Sequence, residues 1–464
     1  MTIKPYVDTQ DRLPYAVRMR NRAIAIFVFI GICAGIGSCI YKDKISGAEA
    51  AELKVETQAE PANDYNKEEV AAGNQAQEIK AAGPSESAKM FEGPTAEDIE
   101  NTQMAVTAEI APSNPPAVEI IDSAHIKSQK DVFMAEKIDN LLRRFKPENA
   151  IILIVDAKSN EIMAWGERKN NAVQNQPDYL TRNTFPAASL AKTITIAAAM
   201  ESNRYALNTS IPLIGRAHHL YKNQLRVPQN YHGPTVEMQD AYAHSYNPPL
   251  ALIGMNVGAS KLKAAARNLG YNMNYAAGLP GRSSFTPPDT GYGLAEASCG
   301  FTEATTLSPL QAAAQVRAIL MKKPLEIPWS TTPDLDGYAP KTRLALDVNK
   351  FSENTYYGLR QAMIRSVTHG TARKNISTRH MARKNYNALN IGGKTGSLDG
   401  SDPKGRYDWF MGFAESKEDP SKAIIIVVLQ IYDNQGLRPQ PTTQVAGMLI
   451  NYWAHQYVTG GKKK

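Results

Sequence analysis

The pattern of apolar and polar positions divides the chain into three parts. Residues 23–41 form an apolar run without charge or proline. Residues 42–130 are polar, rich in Ala, Glu, Pro, Asn and Gln, and contain only Tyr65 and Phe91 as aromatic residues. Beyond them, apolar positions recur at the spacings of helices and strands. The pattern therefore predicts an apolar segment, a linker too polar to bury a core, and one folded domain at residues 131–458.

Short periodic runs within the folded domain predict its helices and strands. Helical spacing predicts a helix over 131–146, and two apolar runs around a turn predict a hairpin over 150–155 and 161–165. The elements predicted near the other end are strands over 391–397, 409–414 and 423–431 and a helix over 442–457. Strands at both ends predict a mixed α/β (α+β) fold, with one antiparallel sheet built from both chain ends and flanked by helices.

The apolar run at 23–41 is long enough to cross a membrane, since it spans about 28 Å as a helix. Residues 1–22 carry more Lys and Arg than Asp, which predicts a cytoplasmic N-terminus. The alternative is a lipoprotein signal, because Ile36-Gly-Ser-Cys39 resembles a lipobox. We expect a single-pass protein of the cell inner (cytoplasmic) membrane whose folded domain is periplasmic or otherwise extracytoplasmic, with a basic tail at 459–464.

Charge distinguishes the linker from the domain. Acidic residues outnumber basic ones over 42–130, which indicates a disordered, self-repelling tether. Since the whole chain carries a net charge of +7, the basic excess falls on the folded domain. Its Lys and Arg residues are dispersed and no nucleic-acid-binding motif occurs. We therefore expect an anionic polymer such as cell wall, and no nucleic acid, as the partner.

Ser189-Leu-Ala-Lys192 opens an almost wholly apolar segment that predicts a buried helix. Residues i and i+3 share a helix face, so the Lys192 amine can reach the Ser189 hydroxyl, and the positive helix end favours an alkoxide. Apolar surroundings lower the pKa of a lysine toward that of a general base. The spacing alone is weak, because Ser260 and Lys263 match it in a helix that we expect to be exposed.

Two further motifs follow in order and change this picture. Ser245-Tyr-Asn247 comes next, and Lys394-Thr-Gly-Ser397 follows on a predicted strand. The triplet Ser-x-x-Lys, Ser-x-Asn and Lys-Thr-Gly is the motif set of penicillin-binding proteins and serine β-lactamases, and residues 131–458 resemble that family. Other stretches resemble its monofunctional (class B-like) transpeptidase branch: Asp240 to Asn247, Thr305 to Gln311, Gly370-Thr371-Ala372 and Asp408 to Phe413.

The resemblance implies catalytic roles for five residues. Ser189 would attack the carbonyl of the penultimate D-Ala, and Lys192 would take its proton. Ser245 would relay a proton to the leaving amine, Asn247 would bind the substrate amide, and Lys394 would complete the positive field. The resemblance assigns substrate-binding roles to the last three residues of the third motif, Thr395 to Ser397.

Thr395 and Ser397 would bind the substrate carboxylate, and Gly396 would let the substrate backbone approach the strand. The backbone N–H groups of Ser189 and Ser397 would form the oxyanion hole. No cofactor and no metal is expected. His218 and His219 are adjacent, so on a strand their side chains would point to opposite faces and could not bind the same metal. Gly392-Gly-Lys-Thr395 does not match the sequence of a phosphate-binding loop, because Ala388 stands where that loop has its first glycine. Cys299, the only cysteine beyond the apolar run, is expected to be buried and inert.

The function implied is that of a peptidoglycan DD-transpeptidase. It would form a serine acyl-enzyme with the D-Ala-D-Ala end of stem peptides, transfer it to an amine, and bind β-lactams covalently. A DD-carboxypeptidase, an endopeptidase and a β-lactamase remain alternatives, although Tyr246 departs from the class A β-lactamase motif. The non-enzymatic alternative is a penicillin sensor or cell-wall scaffold. The expected partners are stem peptides, β-lactams and the cytoplasmic membrane, with a cell-wall polymerase as a further candidate.

Overall fold

The computed structural model describes residues 123–169, 172–174, 178–275, 282–433 and 440–460. They lie within the compact unit Thr107–Lys464. The segment expected to anchor the chain, 23–41, falls outside the described residues, as do residues 1–22 and most of the predicted linker. Among the described residues, no helix combines the length and the apolar character that a membrane crossing needs.

A six-stranded antiparallel sheet forms the centre of the described part. The strands that the structure describes are β1 (Asn149–Asp156), β2 (Ile162–Lys169), β3 (Ala172–Gln174), β4 (Ser210–Pro212), β5 (Thr235–Glu237), β6 (Glu326–Ile327), β7 (Leu344–Ala345), β8 (Leu389–Ser401), β9 (Lys404–Ser416) and β10 (Ala423–Tyr432). The strand order in the large sheet is β3-β2-β1-β10-β9-β8. Because β1 pairs with β10, the sheet joins the two ends of the folded part. The prediction of one antiparallel sheet built from both ends is confirmed.

Helices cover both faces of this sheet. Those described are α1 (Ser123–Ser128), α2 (Val132–Phe145), α3 (Asp178–Thr181), α4 (Lys192–Glu201), α5 (Met238–Ala243), α6 (Asn247–Val257), α7 (Ala259–Asn268), α8 (Gly291–Cys299), α9 (Pro309–Met321), α10 (Glu353–Thr368), α11 (Arg383–Asn387) and α12 (Thr442–Ala454). The mixed α/β architecture with an antiparallel sheet flanked by helices is thus confirmed.

Alternating side chains of β1 separate two cores. Ile151 and Leu153 face the large core that the helical middle of the chain builds. Ile152 and Ile154 face the opposite core, with residues of α2 and α12 such as Ile138. Because both faces of β1 are buried, its residues are apolar at successive positions, and Ala150 to Val155 contains no polar residue.

The ends of several elements differ from the sequence prediction. The predicted helix over 131–146 is α2, where the Asp131 carboxylate accepts a hydrogen bond from the Met134 N–H (3.0 Å). The predicted helix over 442–457 ends as an α-helix at Ala454 and continues as a π-helical turn. The strands run longer than predicted, because pairing in the sheet continues through polar residues that break the apolar pattern.

The helix α1 lies N-terminal to residue 131, within the stretch that composition assigns to the linker. Gln129 is buried, its side chain donates to the Trp165 carbonyl (3.0 Å) and accepts from the Trp165 N–H (2.8 Å). These bonds dock the polar segment on β2 without an apolar core of its own. Composition therefore missed the contact, since side-chain to backbone bonds leave no hydrophobic signature.

Candidate active site

Ser189 lies in a 3-10 turn, Ala188–Ala191, that leads directly into α4. The preceding segment is bonded to the stretch after α8, since the Ala187 N–H donates to the Thr305 carbonyl (2.8 Å) and the Leu307 N–H to the Phe185 carbonyl (2.9 Å). Ala188 has a φ of 49°, in the left-handed region that non-glycine residues rarely occupy. The surrounding bonds hold this unusual backbone in place, as strained backbone at functional sites requires.

Gly300 packs against the turn that carries Ser189, at the Ala188 carbonyl, and should not tolerate a side chain. It caps α8 at a φ of +69°, and an added Cβ would lie 1.9 Å from the Ala188 carbonyl oxygen. Gly300→Ala is therefore expected to lower the free energy of unfolding by about 3 kcal/mol or more, and to slow acylation of Ser189.

The control is Gly337→Ala, which has a similarly positive φ (+81°) but no atom within 4 Å of the added Cβ. Gly337→Ala should lower the free energy of unfolding by about 1 to 2 kcal/mol, which is the cost of placing an alanine in the left-handed backbone region without any steric clash. Urea unfolding of both variants measures the difference. Equal losses would show that Gly300 does not support the turn by close contact.

Lys192 is fully buried beneath Ser189. Its Nζ lies 2.8 Å from Ser189 Oγ, 2.8 Å from Asn247 Oδ1 and 2.6 Å from the Cys299 carbonyl oxygen. Burial disfavours the charged amine and lowers its pKa to about 8. The amine is thus held by two acceptors and directed at the hydroxyl, the arrangement that a general base for Ser189 needs.

The lowered pKa of Lys192 predicts how acylation depends on pH. Only the neutral amine can accept the Ser189 proton, and its fraction rises with pH until the pKa near 8 is passed. The acylation rate constant should rise about tenfold per pH unit below pH 7 and level off above about pH 9. Stopped-flow labelling with a fluorescent penicillin measures it, with spontaneous penicillin hydrolysis subtracted. A flat profile from pH 6 to 9 would contradict Lys192 as the base.

The second motif lies on the opposite wall, between α5 and α6. Asn247 starts α6; its side-chain amide donates to the His218 carbonyl (2.9 Å) and its backbone N–H to the Ala217 carbonyl (2.7 Å). These bonds fix the Asn247 side chain, so that its Oδ1 meets Lys192. Ser245 has a φ of 61° and is half-buried at the cavity wall.

The third motif lies on β8, the edge strand next to this wall. Lys394 is fully buried, and its Nζ donates to Ser245 Oγ (3.0 Å) and to the Thr395 carbonyl (2.8 Å). Burial and the nearby charge of Lys192 hold the pKa of Lys394 well below its usual value. Thr395 Oγ1 lies 2.6 Å from Thr371 Oγ1. The site therefore contains two buried lysines, each within hydrogen-bonding distance of a serine hydroxyl: Lys192 of Ser189 and Lys394 of Ser245.

Gly396 lines the cavity and also packs against the turn that carries Ser189. A Cβ at this position would lie 3.2 Å from the Ala187 carbonyl oxygen and 3.3 Å from the Ala188 Cβ. The absence of a side chain therefore lets β8 pack closely on the turn that carries Ser189. The predicted role of Gly396 toward a substrate backbone stays a prediction.

A cavity of about 740 Å³ brings these residues together. The predicted site residues that line it are Ser189, Ser245, Asn247, Thr395, Gly396 and Ser397. Lys192 and Lys394 lie beneath the wall, bonded to Ser189 and Ser245. All eight predicted residues are therefore neighbours, although they are spread over more than 200 positions of the chain. Their individual roles stay predictions.

The alternative motif matches lie elsewhere. Ser260 and Lys263 are exposed on α7, and Lys263 pairs with Asp289 (2.9 Å). Ser352 and Asn354 form a second Ser-x-Asn sequence, in which Ser352 caps α10 by accepting a hydrogen bond from the Thr355 N–H. Cys299 is fully buried with its pKa raised to about 11 by burial, which makes its thiol inert. Among the described residues, no group of three or more His, Cys, Asp or Glu could hold a metal ion.

Sequence reasoning missed the backbone acceptors of the site. The carbonyls of Cys299 and His218 hold Lys192 and Asn247, and carbonyl positions depend on the fold rather than on residue type. Thr371 could have been predicted as a site residue, since Gly370-Thr371-Ala372 resembles the family in sequence, but the sequence assigned it no role. Asp408, the first residue of the stretch Asp408 to Phe413, is buried and also lines the cavity.

Comparison with known proteins identifies the family of the folded domain. Residues 150–443 match the family model described as the penicillin binding protein transpeptidase domain. The curated Stage V sporulation protein D of Bacillus subtilis (strain 168) is 24% identical over 355 residues, covering 72% of this chain and 52% of that protein. The chain thus spans about half the length of the curated relative it matches.

Solved structures share the fold at low sequence identity. The transpeptidase domain of Burkholderia pseudomallei penicillin-binding protein 3 has a TM-score of 0.51 and 17% identity, covering 73% of this chain and 96% of that one. A structure described as a peptidoglycan glycosyltransferase from Burkholderia ambifaria has a TM-score of 0.51 and 17% identity, covering 71% and 94%. These likenesses concern the fold alone.

Proposed function

Since the chain belongs to the family of penicillin-binding protein transpeptidase domains, we propose that it is a peptidoglycan DD-transpeptidase working through a Ser189 acyl-enzyme. The observation that carries the proposal is the buried Lys192 amine, held 2.8 Å from Ser189 Oγ by Asn247 and the Cys299 carbonyl. A serine acylated by D-Ala-D-Ala would also be acylated by β-lactams.

In the first half-reaction, Ser189 Oγ forms a bond to the carbonyl carbon of the penultimate D-Ala. Lys192 takes the hydroxyl proton, and the tetrahedral oxyanion is bound by backbone N–H groups at the cavity. The C–N bond to the terminal D-Ala then breaks. Its nitrogen receives a proton from Ser245, whose hydroxyl lies 3.0 Å from Lys394 Nζ and is reprotonated through that amine.

In the second half-reaction, the nitrogen of an acceptor amine forms a bond to the ester carbonyl carbon, and the bond from that carbon to Ser189 Oγ breaks. Lys192 returns its proton to Ser189 Oγ, and the proton that the amine nitrogen loses passes through Ser245 to Lys394. Water in place of the amine would give a DD-carboxypeptidase with the same groups. The buried Asp408 is the only carboxylate among the described cavity-lining residues, so a deacylating carboxylate of the class A β-lactamase kind has no solvent-exposed candidate there. Slow hydrolysis leaves time for an amine to arrive, which favours transfer.

The location belongs to the same proposal. The apolar segment 23–41 would anchor the chain in the cytoplasmic membrane and leave the catalytic domain outside, where peptidoglycan is crosslinked. A protease-protection assay on membrane vesicles tests it. Degradation of the domain only from the outer side would support the orientation, and protection there would refute it.

The activity is tested with the full-length protein and a peptide that ends in D-Ala-D-Ala. We expect release of D-Ala, and a peptide-amine product when an amine acceptor is added. Release without that product at any acceptor concentration would identify a carboxypeptidase. Penicillin labelling without release of D-Ala would identify a penicillin sensor, and absence of both labelling and release would identify a scaffold. A penicillin label lost within seconds would identify a β-lactamase.

A further inference from the structure

The active-site cavity is larger than the end of the peptide that reacts in it. Its volume is about 740 Å³. A D-Ala-D-Ala dipeptide has about 11 non-hydrogen atoms, and even at the roughly 30 Å³ that liquid water takes per oxygen atom it needs less than half of this space. The remainder can hold another part of the substrate.

One wall of the cavity is the face of β8 and β9 that carries Ser397. Paired residues of antiparallel strands point to the same face, and Ser397 is paired with Asp408. The Thr442 N–H donates to Asp408 (3.4 Å), which brings the start of α12 to this face. Asn375 donates to Thr443 Oγ1 (2.7 Å), so the loop after α10 closes the other side.

Basic side chains also line this cavity. Lys374, His380 and Arg406 all border the cavity, and Lys374 and His380 are exposed to solvent. Asp408 is the only carboxylate among the described lining residues, and it is 8% exposed and engaged by the helix start. Arg406 contacts Asp399 at 3.4 Å, a pair with an exposed carboxylate that contributes at most about 1 kcal/mol.

A concave surface with excess positive charge attracts and orients anions. We propose that the Lys374, His380 and Arg406 surface binds a second carboxylate of the stem peptide, besides the C-terminal one expected at Thr395 and Ser397. The enzyme would then prefer stem peptides whose upstream carboxylate is free over peptides in which it is amidated. This inference rests on the proposed function and names the substrate class of the same site.

Two peptides that end in D-Ala-D-Ala and differ only in a free or amidated upstream carboxylate test the proposal. With the full-length protein, kcat/KM for D-Ala release should be about tenfold higher for the free carboxylate, the value of one charged hydrogen bond. The double variant Lys374→Gln, Arg406→Gln should turn over both peptides within about twofold of each other. The change should appear in KM for the free peptide, with kcat unchanged.

The matched control is the double variant Arg373→Gln, Arg379→Gln, which removes the same charge from exposed residues outside the cavity lining. It should keep the tenfold preference. Loss of preference in this control as well would assign the effect to bulk charge and overturn the site. Equal turnover of both peptides by the unaltered protein would overturn the inference and leave the proposed function standing. If neither peptide releases D-Ala and penicillin does not label the protein, the proposed function itself fails.

Discussion

Ser189→Ala should abolish covalent labelling by penicillin, with the acylation rate constant falling at least about 10⁴-fold. The hydroxyl is the only nucleophile that the buried Lys192 amine contacts among the described residues. Loss of the Oγ atom removes the bond-forming group and changes little of the fold, because Ser189 is only half-buried and its turn is held by backbone bonds. Fluorescent penicillin labelling of the full-length protein measures the effect.

Ser260→Ala provides the matched control. Ser260 belongs to the other Ser-x-x-Lys sequence, lies exposed on α7, and does not line the cavity. It should label at the rate of the unaltered protein. Normal labelling of Ser189→Ala would place the nucleophile elsewhere and remove the basis of the proposed mechanism.

Lys192→Met should lower the acylation rate constant by about 10³-fold, within the range that a general base contributes. Methionine fills similar space but cannot take the Ser189 proton. The variant leaves the Asn247 and Cys299 oxygens without their donor, at about 1 to 3 kcal/mol each, but it also removes a buried amine. The rate and the free energy of unfolding are therefore measured together.

The control for this change is Lys263→Met, at the lysine of the exposed Ser-x-x-Lys sequence. It should keep both the rate and the inflection of acylation near pH 8, whereas Lys192→Met should lose that inflection. A folded Lys192→Met protein that acylates within about threefold of the unaltered rate would show that another group takes the proton.

The sequence predicted the sheet because its signal is local and strong. β1 and β10 are apolar on both faces, and their flanking turns mark the ends of the runs. That one sheet is built from both chain ends followed from the positions of the strands, whereas the pairing of β1 with β10 is known from the structure alone. Element ends were less accurate, since polar residues of β8 and β9 extend the sheet only through cross-strand pairing. The docking of Gln129 on Trp165 left no apolar pattern to read.

The site was predictable where residue type defines the chemistry. Serine, lysine and asparagine at motif spacings identified the side chains that meet in the cavity. What the motifs could not give is the backbone that holds them: the left-handed Ala188, and the Cys299 and His218 carbonyls. The basic part of the cavity lining also escaped sequence reasoning, because Lys374 and Arg406 line the same cavity only once the loop after α10 and β9 are folded.

The proposed mechanism requires a lasting covalent bond between Ser189 and an acyl group. Intact-protein mass spectrometry of the full-length protein with benzylpenicillin, followed by peptide mapping over time, detects such a bond. We expect one adduct with the mass of an intact penicillin, located on the peptide that contains Ser189 and persisting for many minutes. No adduct, an adduct on another residue, or an adduct that disappears within seconds would contradict it.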